Sequence, residues 1–322
     1  MIYEASTGGG VGLTRGRSIP GRLNLGLSAA QMAAALLIFE GLSQATAVWQ
    51  MGLLMVGFVL VGNAIYFMLH EAEHRVLHPN PRLNDAVGTG LALFFPAPFA
   101  LLRQVHLAHH HANRTPDEAF DLYLPEDPRW WKTLQFYGLL TGLFYVVTVL
   151  GGAVISLTPR RVLSRLARPD RQTSAVIRLL NPKVLFWVRV QTLGCLLFHV
   201  AVVWGLGVPL SWYVATYLVF GASWSTMQYL HHYGTPIDRK EGAIDLKMLP
   251  GLSWVWLHHN LHLTHHRYPR ASWTTLPALA RRDGSKPTSL WRQYLHQWRG
   301  PRLYPDLPAT SSSRSASLES AS

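Results

Sequence analysis

The chain has 322 residues, 49% of them hydrophobic and only 14% charged, with 29 Lys and Arg against 17 Asp and Glu. Low charge and long apolar runs place it with membrane proteins rather than soluble globules. The net charge of +12 is therefore read as a topology signal, with no nucleic-acid partner expected. The single cysteine, Cys195, excludes an intrachain disulfide and any site built on several thiolates, rubredoxin-type iron and iron–sulfur clusters included.

Residues 1–24 carry Arg15, Arg17 and Arg22 among glycines and read as a flexible N-terminus without the apolar core of a signal peptide. Residues 25–48 and 51–69 are apolar runs of about 20 residues, the length of one membrane crossing. Residues 87–102 are shorter and interrupted by Pro96 and Pro98, which predicts an interfacial segment. Residues 134–157 are as apolar as the spans, yet Arg129 and Lys132 precede them and Arg160, Arg161, Arg165 and Arg168 follow. A single crossing there would put one basic flank outside, so a re-entrant or interfacial segment is expected. Residues 189–206 and 210–230 supply two further spans. The tail, residues 301–322, is rich in Ser and Ala and reads as disordered.

Every Lys and Arg falls within residues 1–22, 75–189 or 239–314. None lies in the turns Gln44–Met51 and Gly205–Ser211, so the positive-inside rule places those turns outside and the rest in the cytoplasm. The expected fold is an all-α integral membrane protein. Four transmembrane helices form two hairpins, with interfacial or re-entrant helices and a cytoplasmic histidine-rich cap, in one domain over residues 25–300. The expected location is a bacterial cytoplasmic membrane, with both termini and the active site on the cytoplasmic side.

Fourteen of the 16 histidines fall in four groups: His70, His74 and His78; His106, His109, His110 and His111; His231 and His232; and His258, His259, His262, His265 and His266. Residues i and i+4 of a helix share a face, so His70 and His74 can meet one centre. The HxxHH stretches His106–His110 and His262–His266 place three nitrogens within little more than one turn. Neutral imidazole is the commonest metal-ligating side chain and suits iron, zinc and copper. Four groups on one side of a membrane offer more nitrogens than one ion accepts, which points to two metals.

The boxes HEAEH, HLAHH and HLTHH, with flanks "HEAEHRVLHPNPRLNDAVG", "RQVHLAHHHANRTPDEAFD" and "NLHLTHHRYPRASWTTLP", resemble those of the membrane fatty acid desaturase and hydroxylase superfamily. The resemblance spans about residues 25–285. It implies a non-haem diiron centre ligated by His70, His74, His106, His109, His110, His262, His265 and His266. In "QYLHHYG" the histidine matching the related alkane hydroxylases is His232, which joins them; Gln228 stands where some desaturases carry a water-bridged asparagine. Supporting positions are expected at His231, Asn113, Asp117, Asp121, His111, His258 and Asn260. Of the carboxylates in the first box, Glu71 and Glu73 are expected to face away from the His70/His74 stripe. The segment Phe94–Phe99 is a candidate wall of an acyl tunnel.

The reaction implied is O2-dependent desaturation of a fatty acyl chain, because removing hydrogen from an unactivated C–H bond needs oxygen activated at a metal. Hydroxylation of an alkyl or carotenoid-like chain, or decarboxylation to a terminal alkene, are the alternatives within the superfamily. A zinc-dependent membrane hydrolase and a metal transporter are alternatives from other classes. Electrons must come from a separate ferredoxin, flavodoxin-type or cytochrome b5-type donor.

Overall fold

The computed structural model describes residues 19–166 and 171–304; most of the expected N-terminal arm and C-terminal tail lies outside these residues. The chain opens with α1 (Gly21–Gln44) and α2 (Val48–Glu73), packed along each other as the first expected hairpin. Their outer faces expose Leu37 and Leu53, while Phe39 and Phe58 meet inside at 5.1 Å between ring centroids. The helix α1 begins four residues before the expected span. Asn24, expected in the flexible arm, is fully buried. Its amide donates to the Leu77 carbonyl at 2.8 Å and accepts from the Trp273 indole at 3.0 Å.

The helix α2 continues past the expected end of its span. Gly62–Glu73 is buried residue after residue, so the helix passes from an apolar flank into the protein interior with His70 in its last turn. Next come α3 (Pro81–Phe94) and α4 (Phe99–Ala112). Asn80 caps α3 by accepting from the amides of Arg82 and Leu83, with Pro81 at the first helical position. The interfacial segment expected at residues 87–102 is in fact the junction of these two helices, bent by 100°. Pro96 and Pro98 lack the amide hydrogens that a continuous helix needs there.

After β1 (Leu122–Tyr123), α5 (Arg129–Thr141) and α6 (Leu143–Leu157) replace the single apolar segment expected at residues 134–157. They are bent by 96° at Gly142, whose φ of 99° favours glycine. Two short helices, α7 (Arg160–Leu166) and α8 (Arg171–Leu179), lead to α9 (Pro182–Gly205) and α10 (Leu210–Gln228). These last two meet where His199 of α9 bonds the Tyr213 hydroxyl of α10 and packs against Tyr217, but each has its more extensive neighbours elsewhere. The main neighbours of α9 are α6, α4 and α3; those of α10 are α2, α5 and α6. The helix α6 packs against both, and α10 takes the central position.

Among the described residues, α1, α2 and α9 are long and apolar enough to cross a membrane, or up to five segments if each bent pair counts as one. The expected fourth span, α10, has no charge over 19 residues. Its Ser, Thr, Tyr and Trp content keeps its mean hydropathy below that of the other three. Close approach holds it instead: a Cβ at Gly221 would sit 2.1 Å from the Tyr145 ring.

The remainder forms the cap: β2 (Leu246–Lys247), α11 (Pro250–Val255), α12 (His262–Arg267), a 3₁₀ turn (Trp273–Thr275), α13 (Leu276–Arg282), β3 (Thr288–Ser289), α14 (Leu290–Gln297) and β4 (Arg302–Leu303). Parallel pairs β1–β4 and β2–β3 close it. Residues 301–304, expected in the disordered tail, are thus tied down: the Arg302 amide donates to the Asp121 carbonyl and the Tyr304 amide to that of Tyr123, both at 2.8 Å.

Candidate metal centre

Three helices and one turn bring the predicted histidines together. His70 lies in the last turn of α2 and His74 caps it; α4 carries His106, His109 and His110; α12 carries His262, His265 and His266; His232 lies in the turn after α10. They sort into two groups. His70, His74, His106, His110 and His265 form the first, and His109, His232, His262 and His266 the second. Within each group the candidate ligand atoms lie within 4.8 Å of one another.

Helical geometry explains why each HxxHH box is divided. Residues i and i+4 differ by about 40° around the axis, while i+3 lies about 60° to the other side. His106 and His110 therefore face the first group and His109 the second, while His262 and His266 face the second and His265 the first.

The spacings fit metal ions. His74 Nε2 lies 2.7 Å from His106 Nε2, which is 3.1 Å from His110 Nε2; His265 Nε2 is 3.0 Å from His110 Nε2. In the second group His262 Nε2 lies 3.1 Å from His232 Nε2 and 3.2 Å from His266 Nε2, with His109 Nε2 3.3 Å from His266 Nε2. A metal about 2.1 Å from each nitrogen sets adjacent ligands about 3.0 Å apart at a right angle and about 3.4 Å apart in a tetrahedron. In addition, His70 Nε2 is buried with no hydrogen-bond partner among the described residues, a costly state that a metal would relieve.

Burial, followed by the neighbouring imidazoles, holds His262, His265 and His266 well below the ordinary histidine pKa. His232 is lowered too, mainly by burial and by His109 and His266, against a hydrogen bond to Gly242 that raises it. These rings are neutral at pH 7, the state in which imidazole ligates a metal.

The second ring nitrogens show what orients the ligands. His109 Nδ1 meets Glu118 Oε1 at 2.6 Å, and the other Glu118 oxygen accepts from the Arg114 amide at 3.2 Å. His232 Nδ1 donates to the Gly242 carbonyl at 2.8 Å, which Asn113 Nδ2 also reaches at 3.3 Å. Asp245 holds the start of α12, accepting from the Thr264 amide and hydroxyl at 3.1 and 2.7 Å. Carboxylates and carbonyls of this kind fix the tautomer and direction of a ligating imidazole.

Several supporting positions expected from the sequence act differently. Asp117 approaches Arg178 at 3.6 Å, while Asp121 pairs with Arg114 rather than with a histidine. His258 and Asn260 both bond Ser253, at 2.9 and 2.6 Å, and so brace the loop between α11 and α12. Gln228 accepts from the Tyr66 hydroxyl at 3.2 Å. His111 lies on the exposed side of α4, 3.4 Å from Arg239. His231 does stand beside the centre, its Nδ1 donating to the Ile244 carbonyl at 3.2 Å and its ring 4.6 Å from that of His262.

Both first-box carboxylates are buried, and Glu73 does not face away from the histidine stripe as expected. Glu71 accepts from the Trp273 amide at 3.1 Å. Glu73, three residues after His70 and hence on its side of the helix, comes within 3.9 Å of His106 Nδ1. Within the Phe94–Phe99 segment, Phe95 is enclosed by Tyr66, Trp224 and Tyr145 at 4.8–5.5 Å between ring centroids. An apolar recess of about 250 Å³ lies elsewhere, between α1, α2 and α11, where Leu27, Leu60, Ala64 and Leu257 line it.

Sequence reasoning missed Glu118 and Arg114. Glu118 stands beside Asp117 in the same acidic stretch, and the turn that aims it inward begins where Arg114 takes a φ of 64°. That backbone state has no signature in the local sequence.

None of the curated proteins compared with the chain matches it. The family model described as "Fatty acid desaturase" matches residues 47–301, a stretch holding all nine clustered histidines as well as Glu118 and Gly242. On that match the chain belongs to the fatty acid desaturase family.

Proposed function

We propose that the protein is a membrane-bound, non-haem diiron, O2-dependent fatty acyl desaturase. The observation that carries this reading is the pair of adjacent all-imidazole groups, five nitrogens in one and four in the other. One iron would be held by His70, His74, His106, His110 and His265, and the other by His109, His232, His262 and His266. Bound iron supplies the oxygen activation needed to remove hydrogen from an unactivated C–H bond. The chain's own residues supply the frame. Glu118 and the Gly242 carbonyl hold His109 and His232 with Nε2 turned inward, and burial keeps water from the centre.

Removal of the neighbouring hydrogen yields a double bond, whereas return of a hydroxyl to the same carbon yields an alcohol; the placement of the alkyl chain decides between them. A single-zinc hydrolase requires three protein ligands and an open position, which leaves most of the nine imidazoles unexplained. In the proposed topology the boxes and both termini are cytoplasmic, in a bacterial membrane. The fourth crossing is α10, and a separate small redox protein delivers the electrons.

Two measurements test the reading. Metal analysis of the purified protein is expected to find two irons per chain; one zinc and no iron would overturn it. Lipid gas chromatography–mass spectrometry of a host expressing the protein is expected to show new double bonds that His106→Ala abolishes. New alcohols or terminal alkenes would reassign the reaction within the family.

A further inference from the structure

We infer that the buried Arg114–Asp121 pair is the positioning element of the second imidazole group: it fastens the turn carrying His232 to the loop carrying Glu118, the partner of His109. This rests on the dinuclear reading above.

The observation is a guanidinium enclosed in protein, with Arg114 1% exposed and Asp121 fully buried. Burying two charges is unfavourable unless their hydrogen bonds are well satisfied, and these are used to bind chain segments together. Arg114 Nη1 donates to Asp121 Oδ1 at 2.5 Å and to the Tyr229 hydroxyl at 2.9 Å. Its Nη2 donates to the Thr235 carbonyl at 3.1 Å and its Nε to the Pro236 carbonyl at 3.3 Å. Asp121 also accepts from the Tyr229 hydroxyl and from the Gly234 amide, both at 2.9 Å. The pair thus grips residues 229–236 at both ends, with His232 between them.

The same residue reaches His109 through its backbone. The Arg114 amide donates to Glu118, whose other oxygen meets His109 Nδ1. This contact needs the left-handed backbone at Arg114, with φ at 64°, a conformation that the side-chain anchorage holds in place. Both dependants, His109 and His232, belong to the second group. His70, His74 and His265 of the first group are carried by α2 and α12, which the pair does not touch. His106 and His110 lie within α4, before the loop begins. Loss of the clamp therefore loosens one metal position and spares the other.

The test is a titration of metal-stripped, full-length protein in detergent with Co2+, followed by visible absorption. Wild type is expected to bind two ions. Arg114→Lys, which cannot reproduce the planar fork, and Asp121→Asn are expected to keep one ion at wild-type affinity. The other should weaken by about 10- to 100-fold, the usual effect of removing a ligand's outer partner. Combining Arg114→Lys with His232→Ala should weaken that ion by less than the sum of the two single changes, because with His232 gone only the effect through His109 remains. Should Arg114→Lys fail to fold, Tyr229→Phe keeps the ion pair and removes one hydroxyl, and it should still weaken only the second ion. Equal weakening of both ions, additive losses in the double variant, or unchanged binding would overturn the proposal. Wild type binding fewer than two ions would instead overturn the dinuclear reading on which it rests.

Discussion

Replacing Glu118 with alanine tests whether an outer carboxylate governs half of the centre. Its Oε1 lies 2.6 Å from His109 Nδ1, and the side chain is 14% exposed, so water is a poor substitute. With the carboxylate gone, His109 loses the contact that fixes its tautomer and the charge that strengthens its Nε2 as a donor. Losses of this kind run to about 10- to 100-fold in metal affinity, equivalent to about 1.4–2.7 kcal/mol. Glu118→Ala should therefore release one of two irons to a competing chelator at concentrations that leave wild type intact. Glu118→Gln, which keeps an oxygen acceptor, should fall between them. Asp117→Ala is the control, since that carboxylate lies toward Arg178, and it should retain both metals. If Glu118→Ala resists the chelator as wild type does, or Asp117→Ala loses metal equally, the assignment of Glu118 to His109 is wrong.

Three further outcomes follow from the packing and the charges. Gly221→Val forces a side chain into the Tyr145 ring and should lower the unfolding temperature in detergent by an overpacking penalty of about 1–3 kcal/mol or more. Gly194→Ala, with open space around it in the interior of α9, should leave that temperature unchanged or raise it slightly, since alanine favours a helix interior over glycine. In the metal-free protein the imidazoles of His232, His262, His265 and His266 have pKa values below their unfolded ones. The unfolded chain then binds more protons at these rings, so their contribution to stability is complete above about pH 6.5 and declines as the pH falls further; replacing His262, His265 and His266 together with glutamine should shrink the difference in melting between pH 8 and pH 5, and an unchanged difference would contradict it. His111→Ala should keep both metals by metal analysis, because that ring points out toward Arg239.

Much of the site was legible because its chemistry is local. The i, i+3, i+4 spacing of each box is a property of one turn of helix, and the nine expected ligands are the residues that cluster. Asn113 and His231 were also legible near the centre, but Asp117, Asp121 and Glu118 could not be ranked. Which of three acids in one loop turns inward depends on a left-handed residue and a buried arginine, and neither leaves a periodic trace. The spans were legible as apolar runs, yet their partners were not. Short turns implied two hairpins, but after the Gly142 bend α6 lies against both α9 and α10.

The repeated HxxHH pattern by itself determined that this protein gathers imidazoles at helical spacing, and its apolar runs and basic flanks set which segments suit a membrane. Only the tertiary structure decided that the imidazoles form two groups, each box divided between them. The reason is geometric. Spacing along one helix sets the directions in which nitrogens point, but a shared centre exists only where α2, α4, α12 and the turn after α10 converge, and that turn is tied to the loop after α4 by the buried pairing of Arg114 with Asp121.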